Sequence, residues 1–208
     1  MTRPSALLRL ALAAAAAVVL SGCVSLLPKA KPVHLYRFGA DAAAPADATT
    51  GSVGVLRANG SFQREAAGDR LLTVTDGKVA YVAETRWAAP AAALWDEAVA
   101  GAFDADPGPT RLIARGERGA PDYALRLDVR AFETRYDHGP KAAPTVVVRV
   151  RAVLTRNSDR SLVAEKIFEA RAEAARNRVR AIVPAYDRAV AEVLDGLVAW
   201  TNAQVTPA

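Results

Sequence analysis

The chain holds a single cysteine, Cys23, and only two histidines, His34 and His138. One thiol cannot close a disulfide within the chain or assemble a thiolate metal site. Neither histidine has a second imidazole or a carboxylate at ligand spacing, so the usual zinc patterns are absent, and so are the Gly-x-Ser-x-Gly elbow and the phosphate-cradling glycine loop. The carboxylates of Asp41, Asp47, Asp104 and Asp106 fall in loops or at helix ends. There they read as caps and solvating charges, because a working acid–base pair needs one carboxyl in an apolar pocket. This inventory argues against an enzyme. The long apolar run, residues 10–20, also falls short of the roughly 20 residues that a permanent membrane span requires.

That run organises the N-terminus. Arg3 and Arg9 precede it, residues 10–20 are Ala, Val and Leu without a charge, and Leu20-Ser21-Gly22-Cys23 closes it with small residues before the thiol. A positive n-region, a short apolar h-region and a small-residue site are the parts of a secretory signal peptide, and this one resembles the lipobox of bacterial lipoprotein precursors. The resemblance implies that residues 1–22 are removed, that the Cys23 thiol receives diacylglycerol and that its new amine is acylated, with no other cofactor. Each buried methylene contributes about 0.8 kcal/mol, so two or more chains hold a protein on a membrane. A buried free thiol ending a core helix would leave the charge-free run unexplained.

Residues 23–32 continue as a tether, with Pro28-Lys29-Ala30-Lys31-Pro32 keeping it extended. Val24 is next to the cysteine. In Gram-negative lipoproteins an Asp there favours inner-membrane retention, so the resemblance favours an outer-membrane anchor facing the periplasm. Residues 23–208 are enough for one domain with a real core. The formal net charge of +5 includes Arg3 and Arg9. The mild remaining excess gives no reason to expect nucleic acid and supports at most a weak attraction to anionic headgroups or an acidic partner.

The pattern over residues 33–203 predicts a single α+β domain: a mostly antiparallel sheet with two main helices packed on one face. Residues 33–38 alternate as a first strand, with Val33 and Leu35 on one side and Tyr36 and Phe38 on the other; residues 39–51 read as a loop, and residues 52–58 as a second strand. Thr75-Asp76-Gly77-Lys78 is a tight hairpin turn between residues 71–74 and 79–82. A helix opens at Pro90 and stops at Asp106-Pro107-Gly108-Pro109. Residues 110–114 form a short strand, and residues 123–129, 145–155 and 162–172 alternate as an antiparallel meander. A last helix starts near Pro184, or a turn earlier, with Val183, Tyr186, Val190, Val193, Leu197 and Trp200 on one stripe. Residues 204–208 form a fraying tail.

Trp87, Trp95 and Trp200 are the candidate contacts for a partner or for lipid, since an indole joins large apolar area to one donor. The competing expectation is that they seal the helix-to-sheet core, as tryptophans commonly do. Arginines 111, 115, 118, 126, 130, 149, 151 and 156 give the sheet's polar face a basic cast, countered by Asp128, Glu165 and Glu169.

In order and spacing, the lipobox, the Leu-Tyr-Arg-Phe strand, residues 53–56, residues 70–87 running into Pro90, residues 125–132, residues 146–154 and the terminal Leu197-Val198-Ala199-Trp200 resemble the ABC-type transport auxiliary lipoprotein family. The resemblance implies a non-enzymatic, periplasm-facing lipoprotein. It would work with an ABC transporter permease and ATPase and a mammalian-cell-entry-domain protein, moving phospholipid or another hydrophobic substrate between the two membranes, and it could form homo-oligomers. Two other readings compete: a lipoprotein assisting assembly of an outer-membrane barrel or lipopolysaccharide exporter, and a lipid-anchored hydrolase.

Overall fold

The computed structural model describes residues 32–39, 51–114, 116–117 and 119–205. The leader 1–22, Cys23, the tether through residue 31, loop residues 40–50, Arg115, Arg118 and tail residues 206–208 lie outside the described residues. The described chain forms eight strands and two helices: β1 (His34–Tyr36), β2 (Val53–Arg57), β3 (Arg70–Thr75), β4 (Lys78–Trp87), α1 (Ala91–Ala105), β5 (Thr110–Ile113), β6 (Tyr123–Arg135), β7 (Thr145–Arg156), β8 (Leu162–Glu173) and α2 (Val179–Gln204).

The β6–β7–β8 meander is the scaffold, and alternation explains it. Tyr123, Leu125, Leu127 and Val129 of β6 face Val146, Val148, Val150, Ala152 and Leu154 of β7 on the buried side, in registers such as Leu125↔Leu154 and Val129↔Val150. β8 continues the layer with Phe168, Ala170 and Ala172. β6 outruns its predicted end because a bulge between Val129 and Ala131 resets the alternation. Phe132 and Thr134 then point inward again, and β6 reaches Arg135.

The other edge of β6 is shared. β2 pairs with its start (Val55↔Tyr123) and carries β5 outside it, while β3 pairs with its end (Thr73↔Thr134) and carries β4 and then β1. The sheet is therefore mixed, and the expectation of a mostly antiparallel one is corrected: β1–β4, β2–β5, β2–β6 and β3–β6 are parallel. Short polar links force the antiparallel pairs, whereas the parallel strands reach β6 by longer excursions whose register no local pattern encodes. The β3–β4 hairpin forms as expected, with Asp76 at φ 47° and Gly77 at φ 75° supplying two left-handed residues in its turn. β4 runs five residues beyond its expected end, past an irregularity at which Glu84 adopts φ 55°.

Pro90 caps α1, and the helix ends before Asp106. α2 begins at Val179, close to the earlier of the two expected starts, with Pro184 inside the helix just past its first turn. The missing N–H there deprives only the Arg180 carbonyl of its helical partner. The stripe Ile182, Val183, Tyr186, Val190, Val193 and Leu197 lies on the sheet, and α1 and α2 contribute to the same core as the strands, within one unit, Val33–Ala208. At its centre Trp87 meets Phe38 and Tyr186 edge-on at 5.0 and 5.1 Å, and Phe132 packs on Phe38 and Tyr186 at 4.9 Å each. Each such ring removes about 150–250 Å² from water, worth roughly 4–6 kcal/mol before entropy is charged against it.

Candidate functional site

Three surfaces could carry function: the groove between the helices, the open face of the sheet and the end where the tether enters. The groove, of about 670 Å³, runs between α1 and α2 over Ala98, Ala102, Val190, Leu194 and Val198. Ala98 and Ala102 on α1 and Ala191 and Ala199 on α2 present only methyl groups to it, so no side chain fills the space. Side chains staple both of its ends. At one, the Gly39 N–H donates to Asp187 Oδ1 at 3.1 Å; any β-carbon at this left-handed glycine would come within 2.8 Å of Ala98 Cβ. At the other, Asn202 Nδ2 donates to Asp106 Oδ2 at 2.7 Å, the Gly108 N–H donates to the same oxygen at 2.8 Å, and Thr110 Oγ1 meets Asn202 Oδ1 at 2.5 Å. Asp106 is the C-cap residue of α1, at the helix end its sequence position suggested, and its carboxylate ties that end to α2. The groove has apolar walls and a charged rim of Asp187, Arg188 and Asp195, suited to holding a hydrophobic segment.

The open sheet face is a lattice of ion pairs. Arg151 reaches Glu165 at 2.5 Å and Asp128 at 3.6 Å, and Arg149 and Arg171 both hold Glu169, at 2.5 and 2.7 Å. Hydrogen bonds from Arg151 hold Glu165 below the usual carboxylate range, and those from Arg149 and Arg171 do the same for Glu169. The basic cast read from sequence is therefore largely cancelled here. Asp128 is the buried member: burial pushes its carboxyl up, but the Ser61 hydroxyl and amide, at 2.9 and 3.0 Å, together with Arg126 outweigh that and hold it low. Glu133 accepts from Gln63 Nε2 at 2.9 Å, and Gln63 Oε1 accepts from the Phe132 N–H at 2.7 Å. These carboxylates clip residues 59–63 onto β6; they are structural anions and not an acid–base pair. Tyr186 Oη accepts from Thr134 Oγ1 at 3.1 Å, and burial pushes its hydroxyl far up, out of reach of proton-transfer chemistry near neutrality.

Trp87 and Trp95 are 2% and 1% exposed. A buried indole offers no area to a partner, so of the two expectations for these residues the core role is the one they fill. Trp200 is half-buried, its ring edge-on to Phe168 at 5.8 Å on the β8 side of α2, away from the groove lining, and it alone of the three retains indole surface. His34 and His138 are exposed on different parts of the chain, β1 and the β6–β7 loop. Among the described residues no group of three or more His, Cys, Asp or Glu could hold a metal ion, and no helix is long and apolar enough to cross a membrane. The groove itself was not anticipated: the alanines that line it read as ordinary helix formers.

The described residues form a mixed sheet covered on one face by two helices, with an apolar groove between the helices. A family model described as the ABC-type transport auxiliary lipoprotein component matches residues 65–198, and the chain belongs to that family. The family is a transport auxiliary component and not a catalytic one. The crystal structure of protein XCC0632 from Xanthomonas campestris, of the family designated DUF330, is similar at 26% identity with a TM-score of 0.70, over 82% of this chain and 96% of that one. A second crystal structure, of an uncharacterized protein, shares the fold at 13% identity with a TM-score of 0.64, over 82% and 99% of the two chains. No curated protein matches.

Proposed function

We propose that this chain is the lipid-anchored auxiliary component of an ABC transport system of the mammalian-cell-entry type. Working with a mammalian-cell-entry-domain protein and an ABC permease and ATPase, it docks or bridges components that move phospholipid or another hydrophobic substrate between the inner and outer membranes. It has no reaction of its own. The anchor is Cys23, carrying diacylglycerol and an acyl chain, in the outer membrane with the domain facing the periplasm. The observation that carries this reading is the family match across residues 65–198. The lipobox and the groove's apolar lining agree with it.

The test is to solubilise membranes carrying a C-terminally tagged chain in detergent and identify what is recovered with it, with Cys23→Ala as the anchoring control. Recovery of a mammalian-cell-entry protein or an ABC permease is expected. Recovery only of an outer-membrane barrel or its assembly factors would replace this reading with the assembly role.

A further inference from the structure

The first turn of α2 is charged against its own helix. Arg178 is the N-cap, Arg180 lies in the first turn and Arg176 precedes them, while no acidic residue occupies that turn. A helix N-terminus carries a partial positive charge of roughly half a unit, so cations there are disfavoured and carboxylates are the stabilising choice. All three arginines are exposed, and among the described residues none of their guanidinium groups has a hydrogen-bond or ion-pair partner. This differs from the sheet face, where Arg126, Arg149, Arg151 and Arg171 are each held by carboxylates. Fold stability gives no reason for the triplet.

Beside it lies exposed apolar surface. Arg180, Val183 and Pro184 share a depression with His34, Leu35 and Tyr36 of β1. Leu35 is 65% exposed and Val33 46%, because their strand is a sheet edge that turns Tyr36 and Phe38 inward and these two outward. Asn177 ties the same end to the β6–β7 loop, accepting from Tyr136 Oη at 2.8 Å and donating to the Pro140 carbonyl at 2.8 Å. The nearest carboxylate in that loop, Asp137, is already held by Arg135 at 3.1 Å.

We infer that this end of the domain is a membrane-contacting face: Arg176, Arg178 and Arg180 bind anionic lipid headgroups while Val33 and Leu35 enter the interfacial layer of the same bilayer. The ten residues from Val24 to Val33 can span at most about 35 Å, so a domain anchored at Cys23 holds β1 within reach of the surface throughout. Exposed apolar side chains beside unpaired cations are what an anionic interface binds, and three arginines add roughly a kilocalorie each near such a surface, on the order of a hundredfold in partitioning. The inference rests on the anchored reading above, but the face is a property of the domain and can be measured without the anchor.

The experiment uses the mature chain with Cys23→Ser, so that no acyl chain contributes, in flotation with vesicles of phosphatidylcholine alone or with phosphatidylglycerol added. Binding to the anionic vesicles only, weakening with salt, is expected. Replacing all three arginines (Arg176→Gln, Arg178→Gln, Arg180→Gln) should weaken it on the order of a hundredfold without lowering the melting temperature. Leu35→Asp should also abolish binding, whereas Ile167→Asp, at a comparably exposed site on the sheet face, should leave it unchanged. Equal binding to neutral and anionic vesicles, or anionic binding untouched by the triple replacement, would overturn the inference. So would loss of transporter recovery in the triple variant with vesicle binding intact, which would assign the arginines to a protein partner. Failure of the vesicle experiment with transporter recovery preserved sinks the membrane face alone. Success with no transporter recovered leaves the face standing and removes the transport reading.

Discussion

Replacing Asp128 by Ala should unclip residues 59–63 from β6. Asp128 is 5% exposed and its Oδ1 accepts from the Ser61 amide, the Ser61 hydroxyl and Arg126 Nε at 3.0, 2.9 and 3.1 Å. Hydrogen bonds to a charged acceptor are worth about 1.5–3 kcal/mol each, but Ser61 and Arg126 lie near enough to water to recover part of this, so a net loss of about 2–3 kcal/mol is expected. For a domain of this size each kilocalorie moves the melting temperature by about 2–4 °C, giving a drop of roughly 5–10 °C by circular dichroism at pH 7. The pH dependence fixes the cause. The folded-state pKa of Asp128 is lowered, so its contribution is present above its unfolded value of about 3.9 and is lost as the pH falls through the folded value. The gap between wild type and Asp128→Ala should therefore be full at pH 5–7 and narrow progressively in acid, while Ser61→Ala combined with Asp128→Ala should cost little more than Asp128→Ala alone. A melting temperature within about 2 °C of wild type at pH 7, or a gap that stays constant into strong acid, would refute the reasoning.

The remaining expectations can be checked by denaturant unfolding. Gly60→Ala places a β-carbon 1.8 Å from the Leu127 carbonyl oxygen, a backbone atom that cannot step aside, and should cost more than Asp128→Ala, about 3 kcal/mol or beyond. Trp87→Ala, which opens the aromatic centre, should cost about 3–5 kcal/mol; Trp200→Ala, at a half-buried site, should cost under about 2 kcal/mol, and a reversed order would contradict the placement of the two rings. Tyr186→Phe leaves the buried Thr134 hydroxyl without its acceptor, at about 1–2 kcal/mol. Because burial pushes the Tyr186 hydroxyl up, the number of tyrosines titrating below pH 11 in the folded protein should not change in that variant.

What sequence could reveal depended on the range of the interaction. Asp76-Gly77 sets its hairpin locally, and the alternation of residues 123–129 and 145–155 sets two strands and the face they bury, because a one-residue slip would turn Val146, Val148 and Val150 outward. The stripe from Val183 to Leu197 likewise marks α2. The parallel partners of β6 were not legible, since nothing near Val55 or Thr73 says that Tyr123 or Thr134 will lie beside it. Pro184 leaves the start of α2 open in sequence for a definite reason: a proline past the first turn costs a hydrogen bond, and here the burial of Ile182 and Val183 offsets it. The candidate site was least visible. Ala98, Ala102 and Ala191 read as helix formers, and only the meeting of two distant helices makes a groove of them. Arg176, Arg178 and Arg180 become informative once their helix start and their lack of partners are known.

The forked edge of β6 has a mechanical meaning. Any pull along the tether enters at Val33 and meets β1, an outermost strand held to β4 by three register positions, His34↔Thr85, Leu35↔Arg86 and Tyr36↔Trp87. Three positions make a far shorter attachment than the β6–β7–β8 ladder, so β1 gives way before that ladder feels tension. The next resistance is Phe38, locked between Trp87 and Phe132. The domain therefore carries a short extensible leader in series with a rigid body, able to lengthen by a few residues under load and to re-zip when the load is released.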